Sequence, residues 1–374
     1  MKYFHIADLH LGKKINERSM HDDQEWILNQ IVTQAKTHQV DGVIIAGDIY
    51  DRSIPPVESV KLFEHFLESL KGVVDAIYII AGNHDSQERL SFGSTFFKKE
   101  NIYISGLYEG SLVKVDAKDD VTIYLLPFIR PHMVRQYFTQ EISNYHQAVD
   151  AILNQEILDS SRFNILVAHQ FIVSGTQEPL RSDSETISVG GVDSVDASVF
   201  DAFDYVALGH IHRPQSIQRK TIRYAGSPLV YSQSEVNQEK SITLLEIMDK
   251  TLTQETIPLV PIRPVKVIKG HFSDIVQSEY TLDYVYLELE DTQEITDASM
   301  RLRQVFPNVL SIRYLYTQSL TSSSETLEIS RVEDLSMASL FDAFYQTQNN
   351  HEMSGEQKKL IDSLIEQGDA HATN

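Results

Sequence analysis

The sequence predicts a layered α/β domain with helices on a β-sheet core, followed by a smaller second α/β unit and a helical tail. Three observations carry this. Short apolar runs rich in Val, Ile or Tyr alternate with helix-period segments over the first two thirds of the chain. Five of these runs end directly in polar clusters. Beyond about Ile262 the pattern changes, across a linker bounded by Pro261 and Pro264.

In chain order, Tyr3 to Ala7 is the first buried strand and runs into Asp8-Leu9-His10. Trp26, Ile27, Gln30, Ile31 and Gln34 show one helix face changing to another. Val43 to Ala46 is the second strand, ending in Gly47-Asp48. Pro55-Pro56 stands where a helix start tolerates proline, and Val57, Val60, Phe63, Phe66, Leu67 and Leu70 then recur at the helix period. Ile77 to Ala81 leads into Gly82-Asn83-His84-Asp85. A helix is expected over Glu141 to Leu158. Ile165 to Ala168 ends at His169, and Tyr205 to Leu208 ends at Gly209-His210-Ile211-His212.

The second unit reads as a strand (Val265 to Ile268), a helix, a strand (Tyr284 to Leu289), a helix (Ala298 to Phe306) and a strand (Leu310 to Leu315). A Ser-rich acidic link, Ser319 to Glu328, precedes two short amphipathic helices. The last opens with a capping-box pair, Ser354 and Gln357, and carries Leu360, Ile361, Leu364 and Ile365 on one face. The expected domains are therefore 1–262, 263–318 and 319–374.

Composition narrows the function. A hydrophobic share of 42% and a charged share of 23% exclude wholesale disorder. The absence of cysteine excludes a disulfide scaffold, a zinc-thiolate site and a thiol nucleophile. The N-terminus has no signal-peptide core, and no stretch approaches about 18 consecutive apolar residues, so a cytoplasmic protein without membrane contact is expected. Lys and Arg number 32 against 53 Asp and Glu, a net −21, which argues against coating nucleic acid through bulk charge. The excess is uneven: from Val265 onward, 8 Lys and Arg face 18 Asp and Glu. Basic residues instead follow the polar clusters: Lys13, Lys14, Arg18, Arg52, Arg89, Arg213, Arg219 and Lys220. They predict a locally positive rim that positions phosphates without reading sequence. The Ser/Gly/Thr-rich loop from Ser174 to Gly191 is long enough to reach substrate or a partner, and its sequence says no more than that.

The clusters carry the chemistry. Oxygen and imidazole donors without sulfur suit manganese, iron or zinc. Seven ligands are too many for one catalytic ion with an open position, but they suffice for two ions sharing a bridging carboxylate. Such a pair, about 3.5–4 Å apart, clamps the attacking and leaving oxygens of a phosphoryl displacement. Gly47, Gly82 and Gly209 each precede a ligand, where a sharp turn off the strand is expected. A single strand-end histidine is usually a core or surface residue. Here 5 of the 14 histidines fall in five successive clusters.

The words D-x-H, G-D, G-N-H, H and G-H-x-H in this order resemble the calcineurin-like metallophosphoesterases. Ala7-Asp8-Leu9-His10-Leu11-Gly12-Lys13, Ala46-Gly47-Asp48-Ile49-Tyr50-Asp51, Ala81-Gly82-Asn83-His84-Asp85 and Ala207-Leu208-Gly209-His210-Ile211-His212 are similar to the SbcD nuclease family, bacterial relatives of the double-strand-break repair nucleases. The resemblance covers nearly the whole chain. It implies a β-sandwich flanked by helices, a small α/β capping domain and C-terminal helices. It further implies that Asp8, His10, Asp48 and His212 hold one divalent metal, and that Asp48, Asn83, His169 and His210 hold another, with Mn²⁺ the expected ion. His84 would be no ligand but would contact the scissile phosphate and protonate the leaving 3′ oxygen. The attacking water would be activated by the cations, which lower its pKa. Asp85 is read as an orienting partner for His84 or as a helix cap.

The implied activity is double-strand 3′–5′ exonuclease and single-strand or hairpin endonuclease, in DNA end processing, replication, recombination and repair. The implied partners are DNA and an SbcC-like coiled-coil ATPase docked by the last helices, with a homodimer inside a heterotetramer. No phosphate loop of the P-loop type occurs here, so any ATP dependence belongs to that partner. A protein phosphatase or cyclic-nucleotide phosphodiesterase is the alternative. Ser53 stands where phosphatases have Gly, and Asp85 where they have Glu, which favours the nuclease. A metal-stabilised adaptor without catalysis is a third reading, opposed by the full ligand set.

Overall fold

The computed structural model describes residues 1–185, 193–316 and, in the tail, 341–342, 345–346, 353–355 and 357–361. The chain divides into two compact units, Met1–Val267 with Leu282–Tyr286, and Ile268–Thr281 with Leu287–Asn374.

The first unit contains β1 (Lys2–Ile6), α1 (His21–His38), β2 (Gly42–Ala46), α2 (Val57–Lys71), β3 (Ala76–Ile80) and β4 (Ile102–Ser105). It continues with β5 (Val113–Asp116), β6 (Val121–Leu126), α3 (Tyr145–Leu153), β7 (Phe163–His169), β8 (Tyr205–Gly209), β9 (Gln215–Ser216), β10 (Ile222–Tyr224), β11 (Ser241–Met248) and β12 (Thr251–Pro258). Two six-stranded sheets result, ordered β12-β11-β1-β2-β3-β4 and β9-β10-β8-β7-β6-β5. β1 to β4 run parallel, as do β6, β7, β8 and β10, while the remaining strands close the edges antiparallel.

Side-chain alternation explains why the central strands read as continuous apolar runs. In β6, Ile123 and Leu125 join Tyr3, Ile44, Tyr78 and Ile80 in a core between the two sheets. Tyr124 and Leu126 face the other way, into a second core completed by Ala148, Val149 and Ile152 of α3. The sandwich is thus apolar on both faces of its second sheet, and the expected layered architecture is the one observed.

Two helices differ from expectation. α3 is shorter than 141–158 because the Asn144 side chain caps it, accepting from the Gln147 N–H at 2.8 Å. α2 buries Leu62, Phe63, Phe66, Leu67 and Leu70, but Val57 and Val60 of the predicted stripe are exposed.

The Pro261–Pro264 segment is fastened to α1. Trp26 Nε1 and Gln30 Nε2 donate to the Val260 carbonyl at 2.9 and 3.1 Å. Arg263 grips buried Asp23 with two bonds of 3.0 and 2.7 Å, and Tyr284 Oη donates to the same carboxylate at 2.8 Å.

After the linker the chain forms a three-stranded sheet of β13 (Val265–Gly270), β14 (Tyr284–Leu289) and β15 (Val309–Tyr314), with α4 (Ala298–Val305) between the last two in sequence. Leu287, Leu289, Leu302, Phe306 and Val309 are buried. In the tail the capping box is present: Gln357 Oε1 accepts from the Ser354 N–H at 2.8 Å, and Ser354 Oγ accepts from the Gln357 N–H at 3.3 Å. Ser319–Glu328, Leu364, Ile365 and residues 186–191 of the long loop lie outside the described residues. Among the described residues, no helix is long and apolar enough to cross a membrane.

Candidate metal centre

The five predicted clusters meet at one edge of the sandwich, those after β1, β2 and β3 from the first sheet and those at the ends of β7 and β8 from the second. The first two loops are zipped together, Asp8 N–H to the Gly47 carbonyl at 3.1 Å and His10 N–H to the Asp48 carbonyl at 3.0 Å. Asp8, His10, Asp48 and His210 all have positive φ, +54°, +44°, +50° and +97°. Left-handed backbone in these four non-glycine residues is held by the surrounding structure, as it also is in turns elsewhere such as Asp119–Asp120 and Asp249–Lys250. Of the three glycines, only Gly47 uses its turning freedom, with φ +86°. Gly82 and Gly209 are required by close approach instead. A Cβ at Gly82 would lie 2.1 Å from Asp48 Oδ1, and one at Gly209 would lie 2.0 Å from the Ala46 carbonyl.

The donor atoms converge. His10 Nε2 is 3.0 Å from His212 Nε2 and 3.6 Å from Asp48 Oδ2. Asp48 Oδ2 is also 3.4 Å from His169 Nε2. His169 Nε2 and His210 Nδ1 both point at Asn83 Oδ1, at 3.1 and 2.9 Å. The Asp8 carboxylate receives the His210 N–H at 2.9 Å. Ligand atoms of Asp8, His10 and His212 lie within 4.8 Å of one another, as do those of Asp8, Asp48 and His169, and those of His10, Asp48 and His84.

Outward hydrogen bonds decide which lone pairs face inward. His169 Nδ1 donates to the Ala46 carbonyl at 2.8 Å, which turns Nε2 inward towards Asn83 and Asp48. Ser184 Oγ donates to Glu235, so it accepts from His212 Nδ1 at 2.8 Å, and the lone pair of His212 Nε2 faces His10. Imidazole nitrogens, an amide oxygen and two carboxylates packed about 3–3.6 Å apart in a buried pocket are a donor set that divalent cations take up. The donor set fits a pair of such ions.

Electrostatics divide the imidazoles into two neutral ones and one raised one. Burial pulls His10 well below the usual imidazole range, and burial together with His169 pulls His210 down to about 3. Both are therefore neutral and offer lone pairs. Burial also disfavours charged His169, but the Asp48 carboxylate outweighs it and pushes that imidazole up to about 9. Asp8 is raised by burial against the pull of His169 and His212. Burial opposes ionisation of Asp48 too, yet His169 and His10 hold it well below the carboxylate range.

His84 sits at the rim of this set. Its backbone N–H donates to Asp48 Oδ1 at 2.9 Å, its Nδ1 donates to the Asp51 carbonyl at 2.9 Å, and its ring lies 4.9 Å from that of His10. Nε2 is left as the nitrogen available for proton transfer. Asp85 neither orients His84 nor caps a helix. Its carboxylate accepts from the N–H groups of Ile49, Tyr50 and Gly82 at 3.1, 3.0 and 2.8 Å, stapling two ligand loops together. The cap of the next short helix, Gln87–Ser91, is Ser86.

The predicted basic rim is partly structural. Arg219 donates to the carbonyls of Phe200 and Phe203 at 2.9 and 2.6 Å, and Lys13 pairs with Asp51 at 2.8 Å. Arg52, Arg89, Arg213, Lys14 and Lys220 are exposed. Sequence reasoning missed the residues that support the ligands, namely Gln24, Ser184, Glu185, Tyr231, Glu235 and Lys240. Gln24 Nε2 donates to the His10 carbonyl at 2.7 Å, Tyr231 Oη to the Leu9 carbonyl at 2.6 Å, and the His212 N–H to Glu185 Oε1 at 2.7 Å. None sits in a strand-end motif, so nothing in the spacing marks them.

A family model described as calcineurin-like phosphoesterase matches residues 1–214. A second, described as type 5 capsule protein repressor C-terminal domain, matches residues 261–349. The chain is 36% identical over 375 residues to the SbcD component of the nuclease SbcCD from Staphylococcus epidermidis, covering 98% of each. It is 33% identical to the SbcD component of the same nuclease from Staphylococcus saprophyticus, again over 98% of each.

Proposed function

The chain belongs to the SbcD nuclease family of calcineurin-like phosphoesterases, and on that premise we propose that it is the Mn²⁺-dependent, DNA-cleaving component of a two-protein nuclease. It is a metal-dependent hydrolase of phosphodiester bonds. The finer reading is a double-strand 3′–5′ exonuclease and single-strand or hairpin endonuclease, working in the cytoplasm with an SbcC-like coiled-coil ATPase. Its domains would be the nuclease core 1–262, a capping domain 263–318 and a docking tail 319–374.

In this reading Asp8, His10, Asp48 and His212 hold one divalent ion, and Asp48, Asn83, His169 and His210 hold the other. When bound, the ions supply Lewis-acid stabilisation of the phosphoryl oxygens and a lowered pKa for water. The chain's own part is positioning and proton transfer. Asp48 serves both groups of ligands because its carboxylate lies within 3.6 Å of His10 and 3.4 Å of His169. His84, held through Nδ1, carries at Nε2 the proton that a leaving oxygen requires. Exposed Arg52 and Arg213 follow ligand clusters and are suited to hold backbone phosphates. A homodimer would have the exposed apolar groove lined by Val60, Phe92 and Phe97 to bury.

The observation that carries the proposal is the convergence of seven ligand-type side chains on one buried point, with a tethered histidine at its rim. The test is end-labelled duplex DNA with Mn²⁺, with and without the ATPase partner, beside a phosphomonoester control. DNA cleavage with the monoester barely touched supports the nuclease. Rapid monoester or cyclic-nucleotide hydrolysis with intact DNA would move the chain to the phosphatase alternative.

A further inference from the structure

Outside the ligand set, two buried charged groups of the first unit, Glu235 and Lys240, are densely hydrogen-bonded beside His212. Both are buried, Glu235 completely, and their side chains pair at 2.7 Å. Lys240 Nζ also donates to the His212 carbonyl at 2.9 Å, to Ser227 Oγ at 2.9 Å and to Gln238 Oε1 at 3.0 Å. Glu235 Oε1 lies 3.3 Å from His212 Nδ1, receives Ser232 Oγ at 3.0 Å, and takes the hydroxyl of Ser184, which itself meets His212 Nδ1 at 2.8 Å. Its other oxygen accepts from the Tyr231 N–H and from Ser227 Oγ, each at 3.3 Å. One lysine thus holds both the backbone of His212 and the carboxylate that faces its ring.

A buried ion pair adds little to stability, because desolvation of two charges consumes most of the attraction, and an apolar pair of similar volume serves as well. A fully satisfied carboxylate on the outer nitrogen of an imidazole has a specific effect, however. It fixes the tautomer, orients the ring and raises the basicity of the inward nitrogen. We propose that Glu235, paired with Lys240 and reaching His212 directly and through Ser184, is a positioning residue that sets the metal affinity of the His10/His212 side of the centre. The proposal rests on the reading of His212 as a ligand. It distinguishes the two sides of the centre, since His169 leans only on the neutral carbonyl of Ala46.

The test is equilibrium Mn²⁺ binding to the full chain, read from the six-line spectrum of free Mn²⁺, with thermal midpoints measured in chelator. Glu235→Gln should weaken one of the two sites ten- to a hundredfold and leave the other unchanged. Because that variant strands Lys240, the double variant Glu235→Gln/Lys240→Met is made beside it, removing both charges. It should show the same one-site loss with a near wild-type midpoint. Ser184→Ala should weaken the same site severalfold. Wild-type affinity at both sites in the double variant would overturn the proposal. His212→Ala is the reference: if it too binds both ions normally, the ligand reading itself fails, and the proposal with it.

Discussion

His84 donates its Nδ1 proton to the main-chain carbonyl of Asp51 across 2.9 Å, while its own main-chain N–H is given to Asp48 Oδ1 at the same distance. Ring and backbone of one residue are therefore tied to the loop that carries Asp48. The imidazole stands beside the ligands with its second nitrogen uncommitted. This arrangement suits a proton donor better than a ligand. His84→Gln is accordingly expected to lower the cleavage rate by about 10²- to 10⁴-fold, the usual worth of a positioned acid, with two Mn²⁺ still bound per chain. Parallel turnover and Mn²⁺ titration check this, and loss of an ion in the variant would make His84 a ligand instead.

Gly82 presses its Cα against Asp48. Since an added methyl would sit 2.1 Å from Asp48 Oδ1 and 2.3 Å from its backbone nitrogen, Gly82→Ala must displace the carboxylate or the loop. Overpacking of this kind costs about 1–3 kcal/mol, and here the movement falls on the shared ligand. Mn²⁺ affinity should drop at both sites, and a titration matching wild type would show that the loop yields without moving Asp48.

Acid stability should depend on His5, which lies in the core bonded to Tyr205 Oη at 3.0 Å and to the Leu208 carbonyl at 3.1 Å. Burial, with Arg223 adding to it, pushes this imidazole down to about 3. The folded chain keeps it neutral while the unfolded chain protonates near pH 6.5. Its contribution is therefore complete above that pH and is lost as pH falls towards 3. At about 1.4 kcal/mol per pH unit, the wild type should lose roughly 2–3 kcal/mol more than His5→Gln between about pH 7 and pH 4.5. Urea unfolding of both proteins in chelator measures the difference, and equal losses would mean that His5 does not titrate on unfolding.

The fastening of Arg263 to Asp23 makes a stability prediction away from the chemistry. Arg263→Ala leaves a carboxylate that is 1% exposed with, among the described residues, Tyr284 Oη as its remaining side-chain hydrogen-bond partner. Breaking a pair of this kind from one side costs about 3 kcal/mol. The thermal midpoint should fall clearly, whereas Lys118→Ala, which breaks the exposed pair with Asp75, should shift it little. Equal shifts would mean that the segment is held by Trp26 and Gln30 alone.

Much of the site is legible in the sequence because the ligand residues sit at strand ends, where an apolar run stops and a polar word begins. Asp8, Asp48, Asn83, His169 and His210 can be read that way. The helix 141–158 cannot be bounded, because whether Asn144 caps or continues a helix depends on whether its side chain meets the Gln147 N–H. Asp85 reads as a partner of His84 by adjacency, but its carboxylate points back into three backbone N–H groups. Glu235 and Lys240 are invisible to pattern reading for a different reason. They lie more than 20 residues from His212 and reach it only because β10 and the following loop fold back, so no local spacing announces them.

The central claim is that two divalent ions share Asp48. Equilibrium Mn²⁺ binding to the wild type, Asp48→Ala, His212→Ala and His210→Ala tests it most directly. Two ions per wild-type chain are expected, with weakening of one in each histidine variant and of both in Asp48→Ala. A single ion per wild-type chain, or an Asp48→Ala chain that keeps one site at full affinity, would contradict it.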